Sequence, residues 1–121
     1  MAGATRMIPA DTALERVTQV PGIKGSLLIS GSDGLVVAER LMDGIDGRAI
    51  AALAASLVQR LDRATNGAGM RAPTFVHLRG TGGSVLAAPG RGDLVLVAVA
   101  TVDANLGLAR VKMLDAVSQL A

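Results

Sequence analysis

The sequence contains no cysteine, and its only aromatic side chain is Phe75. The lack of cysteine excludes disulfides and thiolate metal sites and is typical of a reducing compartment, so we expect a cytoplasmic protein. Without Trp or Tyr, the chain lacks the aromatic side chains on which nucleic-acid bases stack. Its twelve Lys and Arg residues stand apart from one another in a chain of net charge +2, which argues against a phosphate-binding patch. We therefore expect no nucleic-acid partner.

The residues that usually carry catalysis are equally scarce. His77 is the only histidine, and the sequence places no carboxylate or nucleophile beside it that would make it a general base. The glycine-rich segments 80–83 and 90–92 lead into strands rather than into helices, which favours hairpin turns over phosphate-binding loops. The loop carboxylates Asp43 and Asp46 are explained by turn and capping roles, and a metal site would need more ligands at closer spacing. We expect no enzymatic activity, no cofactor and no metal.

One apolar stretch, Leu94–Ala100, organises the rest of the chain. A half-buried strand alternates apolar with polar residues, so an unbroken apolar run rich in valine predicts a strand that is covered on both faces. The run is too short to span a bilayer, and the N-terminal residues lack the apolar region of a signal peptide. We therefore expect no membrane insertion, and we expect other parts of the chain to form a layer above this strand and a layer below it.

The remaining pattern predicts four more strands and three helices. Residues 1–10 are expected to form a flexible leader, and residues 11–121 a single domain. The predicted order is α-β-β-α-β-β-β-α, from a short helix ending at Pro21 to a final helix that starts near Asp103 or Ala104. The other segments are strands at 23–30, 35–39, 74–79 and 84–88, and a helix at 48–65.

Burial then sets the topology. The two most apolar strands, 23–30 and 94–101, should be neighbours in the centre, which gives a five-stranded antiparallel sheet of order 2-1-5-4-3 in an α/β (α+β) fold. Helix 48–65 is predicted to cover one face and the two terminal helices the other. Strand 74–79 is left as an edge that neither lysine nor a mid-strand proline protects.

An unprotected edge of this kind predicts a homodimer with a two-fold axis. On helix 48–65 the stripe Ile50, Leu53, Leu57 and Leu61 is expected to face the core, which leaves an alanine side for the partner subunit. The predicted dimer interface consists of Ala51, Ala52, Ala55, Thr74, Phe75, Val76, His77 and Leu78. The candidates for contact with another protein are Gln59, Arg60 and Arg63.

Several segments in this order resemble the Roadblock/LC7 family. They are Val20–Gly25, the Asp33–Gly34 hairpin, the Ala/Leu-rich helix and Asn105–Arg110, and the likeness extends from Asp11 to Leu120. The bacterial gliding-protein type and the actinobacterial conservon type are the most similar members. The resemblance implies a homodimer or heterodimer with a continuous ten-stranded sheet, which acts as a regulator or scaffold of a Ras-like small GTPase.

The resemblance leaves open whether GTP hydrolysis is stimulated, since scaffolds also occur in the family. Two alternatives do not involve a GTPase. One is a small-molecule-sensing module, for which a single Phe and a single His offer few pocket-forming side chains. The other is a purely structural dimerisation module that bridges larger proteins.

Overall fold

The computed structural model describes residues 7–120, and it contains the eight elements in the predicted order. The elements are α1 (Ala10–Thr18), β1 (Ile23–Ser30), β2 (Val36–Leu41), α2 (Gly47–Gly67), β3 (Val76–Gly80), β4 (Gly83–Pro89), β5 (Leu94–Ala100) and α3 (Leu106–Ser118).

The five strands form one antiparallel sheet of order β2-β1-β5-β4-β3, which confirms the predicted topology. β5 lies in the centre, with Leu96 opposite Leu28 of β1 on one side and Ala98 opposite Leu86 of β4 on the other. Its side chains alternate between the two faces, and Val97 contributes to the opposite core from Leu96. The unbroken apolar run is therefore explained by cover on both sides of the strand.

α1 and α3 cover one face of the sheet, as predicted. Leu14 of α1 and Met113 of α3 are completely buried in a cluster with Leu96. The buried hydroxyl of Ser26 also lies on this face and donates a hydrogen bond of 3.1 Å to the carbonyl oxygen of Leu14. This bond satisfies the hydroxyl and fixes α1 on β1.

α2 alone covers the other face. Its N-terminus is capped by Asp46, whose carboxylate accepts a hydrogen bond of 3.1 Å from the backbone N–H of Ala49. The residues that α2 buries against the sheet are small, namely Ala51, Ala54 and Ala55. Because alanine places only a Cβ between the two backbones, the helix can lie close to the sheet.

The structure corrects the sequence prediction at several boundaries: β2 spans Val36–Leu41 rather than 35–39, and α3 begins at Leu106 rather than near Asp103 or Ala104. Strand β3 begins at Val76 rather than at Thr74. The predicted leader 1–10 is wrong for Ile8, which is buried and whose N–H donates a hydrogen bond of 2.7 Å to the carbonyl oxygen of Gln119. Ile8 thereby joins the core beside the end of α3. Residues 1–6 of the predicted leader lie outside the described residues.

Candidate interaction surface on the third strand and the second helix

β3 is one edge of the sheet. It pairs with β4, from Val76 opposite Ala87 to Gly80 opposite Gly83, and its other side has no neighbouring strand in the described part of the chain. Backbone N–H and C=O groups on such a side are free to pair with another strand. The edge that the sequence predicted is therefore present in the protomer, in a strand of five residues.

The side chains of the predicted edge segment do not share one environment. Thr74 and Phe75 precede β3, and the half-buried Phe75 ring lies 5.7 Å from the guanidinium carbon of Arg110 on α3. Val76 is buried under α2, whereas Leu78 is 40% exposed. His77 is exposed, and its Nε2 lies 2.8 Å from the Ser84 hydroxyl. Of the predicted interface side chains, Phe75 and Val76 thus make most of their contacts within their own chain.

Two contacts fix how α2 is rotated about its axis. The side-chain amide of Gln59 donates hydrogen bonds to the carbonyl oxygens of Gly31 at 2.6 Å and Ser32 at 3.0 Å, in the turn between β1 and β2. In the same turn, a Cβ built on Gly34 would lie 3.5 Å from the Cβ of Ala55. The side of the helix that carries Ala55 and Gln59 therefore faces the β1–β2 turn.

This rotation overturns part of the predicted interface. Ala51 and Ala55 are 0% and 4% exposed and pack in the protomer, so they are unavailable to a partner subunit. Ala52 is exposed and stays available to a partner subunit. Gln59, a candidate for contact with another protein, is exposed, but its side-chain amide is held by hydrogen bonds to the β1–β2 turn. The prediction went wrong because the alanines, being small, are what lets the helix approach its own sheet.

The side of α2 opposite the β1–β2 turn carries leucines. With 3.6 residues per turn, Leu53, Leu57 and Leu61 lie on the flank of the helix that is directed toward β3 and β4. Leu57 and Leu61 are half-buried on the cluster that contains Val76, and Leu53 is 43% exposed. We call these three residues the leucine ridge. The sequence had assigned them to the core together with Ile50. Ile50, Leu57 and Leu61 do pack against the buried cluster but stay half-buried, whereas Leu53 is exposed.

The outer surface of α2 carries small and basic residues. Ala52 and Ser56 are exposed near the middle of the helix, and Arg60 and Arg63 are exposed toward its C-terminal end. The two arginines therefore occupy the accessible positions that the sequence predicted for them. A flat centre with guanidinium groups at one end suits contact with an acidic protein surface.

Within residues 7–120, no group of three or more His, Cys, Asp and Glu side chains is arranged to hold a metal ion. None of the helices in this part of the chain is both long and apolar enough to cross a membrane.

Comparison with known sequences gives a consistent family assignment. The sequence model of the Roadblock/LC7 domain family matches residues 9–100 of this chain. An uncharacterized protein of Methanocaldococcus jannaschii is 30% identical over 110 residues, which cover 91% of this chain and 95% of the relative.

Solved structures share the fold. A Roadblock/LC7 domain from Streptomyces avermitilis superposes with a TM-score of 0.79 at 22% identity, covering 91% of this chain and 92% of that domain. The gliding protein MglB from Thermus thermophilus gives a TM-score of 0.80 at 18% identity, with coverage of 100% and 96%. An MglB with a tetrameric arrangement gives 0.80 at 19% identity, with coverage of 100% and 95%.

Proposed function

Because the chain belongs to the Roadblock/LC7 family, we propose that it is a homodimer that binds a Ras-like small GTPase and modulates the nucleotide state or the localisation of that GTPase. The observation that supports this proposal best is the open β3 edge beside the partly exposed leucine ridge. Both features lie on one side of the domain, and a second copy would cover both. The tetrameric MglB that shares the fold is an example of self-association.

In the proposed dimer, β3 pairs antiparallel with its own copy. A two-fold axis perpendicular to the sheet keeps each face on the same side, so α2 of both subunits lies over one face of a ten-stranded sheet. If the axis passes between the two β3 strands at Leu78, the middle residue of β3, the two Leu78 side chains lie next to each other. The leucine ridges then approach from either side and bury Leu53, which is 43% exposed in the protomer.

The outer surfaces of the two α2 helices form the proposed docking surface for the GTPase. Ala52 and Ser56 provide a smooth centre, while Arg60 and Arg63 of each subunit provide positive charge. We propose no catalytic residue on this surface. Binding energy that favours one conformation of the switch loops of the GTPase is sufficient to change its nucleotide state.

The test is to measure binding of the purified protein to each small GTPase encoded by the source organism, in the GDP form and in the GTP form. We expect one of them to bind, and we expect Arg60→Glu with Arg63→Glu to weaken that binding at least tenfold, or about 1.4 kcal/mol. Lys112→Glu is the matched control, since Lys112 is exposed on α3 at the opposite face. Binding that is insensitive to the arginine substitutions would contradict the docking surface.

The same experiment separates the alternatives. A protein that sediments as a dimer and binds none of the GTPases would be a structural dimerisation module. A monomer at micromolar concentration would contradict the dimer and the paired docking surface together. The rate of GTP hydrolysis with and without the protein then distinguishes an activator from a scaffold.

A further inference from the structure

A cavity of about 400 Å³ lies at one end of the sheet, away from the leucine ridge. It is formed where the β1–β2 turn and the β4–β5 turn meet the C-terminal half of α2 and the segment that leads from α2 to β3. We call it the corner cavity, and its main lining residues are Val58, Asp62, Pro73, Pro89, Asp93 and Val95. Its volume is in the range of ordinary small-ligand sites. The proposed dimer and GTPase contacts do not use it.

The wall formed by the two turns is held by hydrogen bonds. The hydroxyls of Ser30 and Ser32 both donate to Oδ2 of Asp93 at 2.5 Å, and the N–H of Gly31 donates to the Asp93 carbonyl oxygen at 2.6 Å. The two serine hydroxyls lower the pKa of Asp93 below its ordinary value. The cavity wall therefore presents a positioned carboxylate that is ionised at neutral pH.

The charged side chains that line the corner cavity are all of one sign. Its lining includes the carboxylates of Asp62 and Asp93 and no Lys, Arg or His, in a chain whose net charge is +2. Arg91 lies in the same β4–β5 turn but does not line the cavity. A positively charged ligand is thus favoured over an anion.

Hydrogen-bonding capacity supports the same ligand class. The side-chain amide of Gln59 donates its hydrogen bonds to carbonyl oxygens of the β1–β2 turn, and the Ser32 hydroxyl donates to Asp93. These groups are therefore not free to donate to a ligand. Pro73 and Pro89 have no backbone N–H. Carboxylate acceptors therefore remain while several potential donors are already engaged, so a ligand that brings its own N–H donors is the best match.

The remaining wall is apolar. Val58, Pro73, Pro89 and Val95 offer aliphatic surface beside the two carboxylates. We propose that the corner cavity binds an ammonium or guanidinium group carried on a short aliphatic stem, with the charged group at Asp62 and Asp93 and the stem on the apolar wall. This chemistry is shared by free alkylamines and alkylguanidines and by the Lys or Arg side chain of another protein.

The first test is a titration of the isotope-labelled protein with n-butylguanidinium. The amide chemical shifts of the protein are measured by NMR at each ligand concentration. We expect saturable shifts at Gly31, Asp62 and Gly92, at millimolar ligand concentration because the ligand is small and the carboxylates are partly hydrated. n-Butanol has the same stem without the charge, and butyrate has the opposite charge, so both should bind at least tenfold more weakly. Equal effects of all three compounds, or shifts that do not saturate, would overturn the proposal.

The second test replaces the carboxylates. Asp93→Asn and Asp62→Asn should each weaken binding of n-butylguanidinium at least fivefold. Asp43→Asn is the control, because Asp43 is an exposed carboxylate in the loop that follows β2 and does not line the cavity. If Asp93→Asn disturbs the two turns, Asp62→Asn decides the question, since Asp62 is exposed on α2 and holds neither turn. Unchanged binding in Asp62→Asn with a native spectrum would overturn the proposal.

A third measurement distinguishes the two sources of the ligand. The blocked peptide acetyl-Gly-Arg-Gly-amide presents the same guanidinium on a protein backbone. Tighter binding of the peptide than of n-butylguanidinium would assign the cavity to a basic side chain of a partner protein. Tighter binding of n-butylguanidinium would assign it to a free small molecule. Failure of both compounds to bind would reject the cavity as a cation site, whatever the result with the GTPases.

Discussion

The face of the sheet under α1 and α3 buries seventeen apolar residues of the described chain in one cluster, whereas the face under α2 buries nine. The first cluster contains large side chains such as Leu14, Leu96 and Met113 that are completely buried. The second relies on alanines from α2 and leaves Leu53 and Leu78 partly exposed beside the open edge. One face is completed by the protomer, while the other still has apolar surface for a second chain to cover.

The difference has a simple physical origin. Two helices lie over the first face, and a single helix lies over the second, so the strip of sheet near β3 is not fully covered. Exposed apolar surface that borders an unpaired edge is a usual mark of an association site. The face under α2 is therefore the one expected to respond to changes in assembly, and the face under α1 and α3 to changes in packing.

The largest effect is expected in the completed face. Leu96→Ala removes a completely buried side chain from β5 and should destabilise the protein by about 2–5 kcal/mol. Leu57→Ala, at a half-buried position of the leucine ridge, should cost clearly less when the protein is diluted enough to be monomeric. Urea unfolding measures both values. Equal losses at low protein concentration would mean that the two faces are equally closed.

The next effect concerns assembly. Leu53→Asp and Leu78→Asp place a charge where the proposed subunits meet, and each should raise the dimer dissociation constant at least tenfold, or about 1.4 kcal/mol. Val111→Asp is the control, because Val111 is 62% exposed on α3 at the other face. Sedimentation analysis gives the dissociation constants. If Val111→Asp disrupts the dimer and the two leucine substitutions do not, the subunits associate through the face under α1 and α3, and the proposed interface is contradicted.

A smaller loss of stability is expected at the two helix caps, and it should be similar at both. Asp46 caps α2, and Asn105 caps α3 by accepting a hydrogen bond of 3.0 Å from the Leu108 N–H. Asp46→Ala and Asn105→Ala should each cost about 1 kcal/mol in urea unfolding, since each frees one N–H of a first helical turn. Similar values would show that the faces differ in packing and not in helix termination. A much larger cost on one face would contradict this.

The smallest effect is a pH dependence at the end of the sheet where the two turns meet. The serine hydroxyls hold the pKa of Asp93 below its ordinary value in the folded state. The carboxylate therefore adds stability above about pH 4, and this contribution is lost as the pH falls through the lower folded-state pKa.

Asp93→Asn should make thermal unfolding less dependent on pH in this acidic range, with a modest change because the site is hydrated. Melting temperatures of both proteins across the range measure it. A parallel pH dependence in the two proteins would show that Asp93 does not contribute.

Sequence reasoning was most successful where a pattern admits one interpretation. The apolar run Leu94–Ala100 is buried only if other elements cover both faces of the strand. This placed β5 in the centre of the sheet and led to the correct strand order around it. Turn and capping roles were predicted for the loop carboxylates Asp43 and Asp46, and Asp46 caps α2. Arg60 and Arg63 were predicted to be accessible, and both are exposed.

α2 shows where the sequence is ambiguous. Its apolar residues cover two sides of the helix, leucines on one and alanines on the other, and hydrophobicity alone favours burying the leucines. The structure buries Ala51, Ala54 and Ala55 against the sheet. The deciding contacts, from Gln59 to the β1–β2 turn and from Gly34 to Ala55, join residues that are distant in the sequence. The corner cavity was missed for the same reason, because it brings four segments together that are distant in the sequence.

By itself, the sequence determined which segments become strands and helices, because each segment carries its own pattern of apolar and polar residues. It also determined how the strands are ordered, because the two most apolar strands must lie in the centre of the sheet. Only the tertiary structure decided which side of α2 faces inward, which side chains border the open edge, and where two turns enclose a charged cavity. These properties depend on the distance between packed backbones, and that distance is set by contacts between remote residues that no local pattern contains.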